Sequence, residues 1–109
     1  MGFFGKLLRA NSKNLAGWIE GDITHLKRGE RYFSVENGKV VLWIVGKEDI
    51  IVEPSQVKTF DFASGDIHRQ YGNKIMICDS YLIALTNGET GKMTIFKGKI
   101  ADVKLALRK

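Results

Sequence analysis

Near the end of this chain the apolar residues alternate with a period of two in two consecutive runs, then shift to about 3.6 after Gly98. Tyr81–Thr86 and Lys92–Phe96 alternate on either side of Asn87-Gly88-Glu89-Thr90-Gly91, which predicts a β-hairpin. Beyond it, Ile100, Val103 and Leu107 recur at i, i+3 and i+7 with Ala106 beside them, which predicts one helix over residues 99–108 with that face on the sheet. Asp102 lies in its early turns and Arg108 and Lys109 at its end, the order a helix dipole favours. The expected fold class is therefore mainly β, closed by a single terminal helix.

Upstream, the strand signals begin clearly at Glu30. Arg31–Glu36 and Lys39–Val45 flank Asn37-Gly38, the strongest short hairpin signal, and Ile50–Glu53 is a short strand that Pro54 stops. Val57–Ala63 alternates, Ser64–Asn73 reads as the longest polar loop, and Asp79-Ser80 reads as a turn or bulge between strands Lys74–Cys78 and Tyr81–Thr86. With Lys92–Phe96 this makes about seven strands after Glu30. Gly17–Ile23 is a short strand or a lead-in that covers the core. The domain expected from this pattern spans residues 18–109, preceded by an N-terminal amphipathic segment, residues 1–17. Within that segment Phe3, Phe4, Leu7 and Leu8 fall on one face of a short helix, with Lys6 and Arg9 off it.

Composition excludes more than it identifies. One cysteine, Cys78, rules out an internal disulfide, and Cys78, His25 and His68 have no zinc spacing, so no metal and no cofactor are expected. No apolar run approaches the ~18 residues of a spanning helix, and residues 1–9 lack the parts of a signal peptide, so the expected location is cytoplasmic. The net charge of +5 sits at the two ends: residues 1–17 hold Lys6, Arg9 and Lys13 with no acid, residues 97–109 hold five bases against Asp102, and the body between is slightly acidic. Basic ends on an acidic body argue against a specific nucleic-acid reader, which carries its charge on the reading face.

The candidate chemistry is thin. Gly88-Glu89-Thr90-Gly91-Lys92 lacks both the first glycine and the Ser/Thr of a phosphate-binding loop and leads into a strand, so a hairpin turn is the better reading. Asp66-x-His68 has no third group or nucleophile to complete an acid–base site. Cys78 ends an apolar strand and reads as a buried small hydrophobe. Lys27-Arg28-Gly29-Glu30-Arg31, beside Tyr32 and Phe33, is the densest basic cluster of the body and is either a solvated turn or a patch for an anionic ligand. No enzyme can be assembled from these groups.

Seven antiparallel strands, an early pair joined by Asn37-Gly38 and a C-terminal capping helix resemble, over roughly residues 30–109, the pleckstrin-homology-like superfamily and its small bacterial versions. The resemblance rests on element order. It implies a bent, seven-stranded, nearly closed barrel with the helix plugging one end. Phosphoinositide-binding members carry a basic pattern on the first two strands; here Arg31 and Lys39 are present, but Val40 and Val41 follow Lys39 and the rest of the pattern is absent.

The expected function is a non-enzymatic binding module whose partner is another protein or a second copy of the chain. The alternative is a peripheral membrane adaptor that sets the basic ends and Phe3, Phe4, Leu7 and Leu8 on anionic lipid. The binding residues expected on these grounds are Phe3, Phe4, Leu7, Leu8, Lys27, Arg28 and Arg31.

Overall fold

The computed structural model describes residues 14–24, 29–44, 46 and 48–109. Seven strands, β1 (Leu15–Gly21), β2 (Arg31–Glu36), β3 (Lys39–Leu42), β4 (Ile50–Val52), β5 (Val57–Tyr71), β6 (Lys74–Leu85) and β7 (Thr90–Phe96), precede the helix α1 (Ile100–Leu107). They form one antiparallel sheet in the order β4-β3-β2-β1-β7-β6-β5. Two up-and-down meanders, β1–β4 and β5–β7, are thus joined where β1 pairs with β7.

Local chemistry sets the turns. Asn37 and Gly38 both take positive φ (53° and 73°), as the hairpin between β2 and β3 requires. At the β1–β7 seam the backbones approach too closely for side chains. A Cβ on Gly17 would sit 2.0 Å from the Thr94 carbonyl oxygen, and one on Gly91 would sit 2.9 Å from that of Glu20. Glycine is needed there because nothing larger fits.

One face of the sheet holds the main core. Ile19, Phe33, Leu42, Ile83, Met93 and Ile95 are buried there beneath Val103, Ala106 and Leu107 of α1, with Ile100 partly buried beside them. The helix therefore presents the face that its spacing predicts. It ends at Arg108, whose left-handed φ of 56° lets the Arg108 and Lys109 N–H groups donate to the carbonyls of Leu105 and Lys104.

The opposite, outer face carries a second cluster. Leu15, Trp18, Val41, Trp43, Cys78 and Phe96 are buried there, with Tyr32, Ile67, Tyr71 and Met76 packed on them. The distal part of the β5–β6 hairpin, an arm that turns at Gly72 (φ 60°), supplies Ile67, Tyr71, Met76 and Cys78.

Several expectations are corrected. Ser64–Asn73 is not a loop: through Tyr71 it is the second half of β5. Register shifts between Phe62 and Ser64 and between Ser64 and Ile67 break the alternation, and only one face of the arm is covered, so the apolar period is lost. Asp79-Ser80 is not a turn but the middle of β6, paired with Ile95 and Thr94 of β7; the bulge at this place is on β5, where Gly65 and Asp66 stand against Asp79. The seventh strand lies instead at the front: β1 begins at Leu15, three residues before the expected domain start. A register irregularity between Leu15 and Gly17 puts Leu15 and Trp18 in the outer cluster and Ala16 and Ile19 in the core, which hides the strand's alternation. The strand expected over Lys39–Val45 ends at Leu42, with one further bond from the Trp43 N–H to the Tyr32 carbonyl at 3.0 Å. The sheet is also not closed: β4 and β5 are its two edges. β4 has three residues and is followed within two by Pro54, which has no N–H to extend a ladder toward the long β5. The helix expected within residues 1–17 falls on Phe3, Phe4, Leu7 and Leu8, outside the described residues.

Candidate binding surfaces

Three features of the surface are built well enough to bind something. The first is the clasp that holds the arm to the outer face. Arg69 of β5 forks onto both carboxylate oxygens of Glu30, which precedes β2, while its guanidinium carbon lies 3.9 Å from the Trp18 ring centroid. Trp18 meets Tyr71 and Phe96 edge-on, at 6.1 and 5.3 Å between centroids, and Tyr71 meets Tyr32 edge-on at 6.1 Å. The Arg69 hydrogen bonds hold the Glu30 carboxyl below the usual carboxylate range, and the Arg69 guanidinium is held more firmly protonated in return. Burial pushes the Tyr71 phenol and the Cys78 thiol upward. A second tie lies at the bend: Lys97 Nζ sits 2.8 Å from Asp66 Oδ1 and 3.2 Å from Asp79 Oδ1, and the Asp66 N–H donates to Asp79 at 3.1 Å.

The second feature is the free edge of β5 with the uncovered side of the arm. Phe62 is 60% exposed, Ile75 61% and Ile77 48%. Ile75 and Ile77 stand opposite Gln70 and His68, and Phe62 stands opposite Tyr81, whose ring it meets edge-on.

The third is a groove of about 410 Å³ on the outer face, where β5, β6, β7 and β1 run side by side. Leu82, 52% exposed, lies in it, with Ala84 and Thr59 toward β5 and Gly21 and Gly91 toward the seam. Glu20 and Asp22 stand on its rim with Lys92, whose Nζ is 3.8 Å from Glu20. Asp61 is the cross-strand partner of Leu82.

The residues singled out from sequence are dispersed. Phe3, Phe4, Leu7, Leu8, Lys27, Arg28 and His25 lie outside the described residues. Arg31 starts β2 and its guanidinium donates to the Glu30 carbonyl at 2.9 Å. Lys39 pairs with Glu53 at 2.7 Å. Asp66 takes Lys97, while His68 stands two residues further along β5, opposite Ile77. Cys78 is fully buried, as expected. The segment likened to a phosphate loop ends in β7, not in a helix. Among the described residues no His, Cys, Asp and Glu side chains group to hold a metal ion, and no helix is long and apolar enough to cross a membrane. Arg69, Leu82 and Phe62 were not among the expected site residues, since Arg69 fell in the expected polar loop and Leu82 and Phe62 look like ordinary strand positions until the topology is known.

No family model, curated protein or solved structure matches this chain.

Proposed function

We propose that the chain is a non-enzymatic, protein-binding module of the pleckstrin-homology-like kind, a strongly bent sheet plugged by its C-terminal helix. What supports the fold reading is the strand order: two antiparallel meanders meet at β1 and β7, and one helix covers the core. What supports protein binding above all is β5, a fifteen-residue edge strand. An edge strand offers an open row of backbone donors and acceptors to a partner's strand, and the exposed Phe62 supplies a side-chain anchor next to that row.

Immobilised chain should retain a protein from an extract of its native host, and a Phe62→Lys/Ile77→Lys variant with unchanged circular dichroism should not. Equal retention by both chains would refute binding at this edge. Sedimentation of the chain only in the presence of anionic vesicles would favour the membrane adaptor instead. Against that reading, Lys97 at the basic C-terminal end is already engaged by Asp66 and Asp79.

A further inference from the structure

We infer that the outer-face groove around Leu82 receives the N-terminal segment Phe3–Arg9 of a second copy of this chain, so that two chains exchange their N-terminal segments. This docking presupposes a protein-binding chain, as proposed above, yet it uses a different surface from the β5 edge.

The groove exists because of the seam. Gly21 and Gly91 have no side chains and pair across the seam, so the wall there is bare main chain; a Cβ on Gly91 would lie on the core side, against Ile23 and Ile83. Leu82 and Ala84 give an apolar floor. The volume is in the range that holds a small ligand or an anchoring side chain. Glu20 and Asp22 line this floor and Asp61 stands beside Leu82, against the ammonium of Lys92 and, on the side of Glu20, the guanidinium of Arg69. The 3.8 Å spacing of Lys92 from Glu20, with both side chains about half exposed, leaves Glu20 open to a competing cation.

An occupant that fits must offer large apolar side chains flanked by positive charge and carry no acid. Residues 1–13 meet that description: Phe3, Phe4, Leu7 and Leu8 are interleaved with Lys6 and Arg9, Lys13 follows, and there is no Asp or Glu. Apolar anchors would enter the groove while the cations reach the carboxylates on its rim.

The source is a neighbouring copy because of what lies between the segment and its own groove. The segment joins β1 at Leu15, whereas the groove lies at the Gly21 end of the same strand, ~20 Å away at the rise of a β-strand. Leu8, seven residues before Leu15, reaches at most about 25 Å when fully extended, and Phe3, twelve before it, about 40 Å. To fill its own groove the segment would have to turn back along β1. The outer face on that path is already occupied by Trp18, Phe96 and Tyr71. An own-chain path would thus cross a surface the arm already covers, while a segment from a second copy approaches the groove from open solvent. Mutual exchange then gives a closed pair with the same contact made twice.

Light scattering on full-length chains at rising concentration tests this. Wild type should reach the mass of two chains. Phe3→Ser/Phe4→Ser, which spoils the segment, and Leu82→Arg, which fills and recharges the groove, should each stay at the mass of one. An equal mixture of these two variants should regain a two-chain species, because one intact segment then meets one intact groove. Asp61→Lys, at an exposed position, should weaken association severalfold and serves as the groove variant if Leu82→Arg disturbs folding. Wild type at the mass of one chain throughout would overturn the inference, as would full association of Leu82→Arg or no recovery in the mixture. The Phe62→Lys/Ile77→Lys chain should keep the two-chain mass; loss of association there would move self-association to the β5 edge, sinking the groove and leaving the protein-binding reading in place.

Discussion

Leu107→Ala and Leu105→Ala make the same chemical change two residues apart on α1, and only the first should matter. Leu107 is fully buried in the core, whereas Leu105 is 79% exposed. Leu and Ala differ little in helix propensity, so that contribution is small and common to both. At Leu107 the loss of about three methylene equivalents from a buried site removes roughly 2.4 kcal/mol of transfer free energy. A cavity contribution adds to it, reduced because the helix ends at this residue and can settle toward the sheet. The expected cost is about 3 kcal/mol for Leu107→Ala and less than about 0.5 kcal/mol for Leu105→Ala. Urea unfolding followed by tryptophan fluorescence reads both, since Trp18 and Trp43 are buried. The midpoint should fall steeply in the first variant and hold in the second, with equal slopes. Equal midpoints in both would show that α1 is not part of the cooperative core, and the account of the main core as covered by this helix would be wrong.

The seam and the clasp can be tested in the same way. Gly17→Ala would place a Cβ 2.0 Å from the Thr94 carbonyl oxygen at a φ of 152°, so β1 and β7 must separate there; a loss above about 2 kcal/mol is expected, and a wild-type midpoint would refute the close approach. The Glu30 carboxyl is lowered by Arg69, so its stabilisation is present above the usual carboxylate pKa of about 4.3 and is lost as pH falls through the lowered native value. Glu30→Gln should remove that acid-dependent part of the stability profile and also speed alkylation of buried Cys78 beneath the arm; superimposable acid profiles and labelling rates would show that the clasp does not hold the arm.

What could be read from the sequence followed how regular each stretch is. The hairpin at Asn37-Gly38, the stop at Pro54 and the helix face of Val103 and Leu107 rest on local chemistry, and each stands where it was expected. The arm could not be read because bulges reset its alternation twice and because its covered face mixes Ile67 and Tyr71 with a charged Arg69. β1 was ambiguous because its glycines answer to a strand far along the chain. Trp18 lay in a stretch read as a short strand or a lead-in, and the residues that cover it, Arg69 and Tyr71, are distant in sequence. The Leu82 groove was invisible for a related reason: its walls come from four strands, and two of its defining residues are glycines.

The joining of the two meanders has a consequence during synthesis. β1 can pair with β2 soon after both are made, but its other neighbour, β7, lies roughly 70 residues further on and must close a loop of that length to reach it. At about 5–20 residues per second, translation leaves that side of β1 unpaired for on the order of 4–14 seconds. During that interval the nascent chain carries a glycine-bearing edge in the middle of its future sheet, with no side chain at Gly17 or Gly21 to shield the backbone. The last strand to emerge is the one that seals it, so a ribosome stalled before Thr90 would hold a half-sheet whose open edge is its most adhesive part.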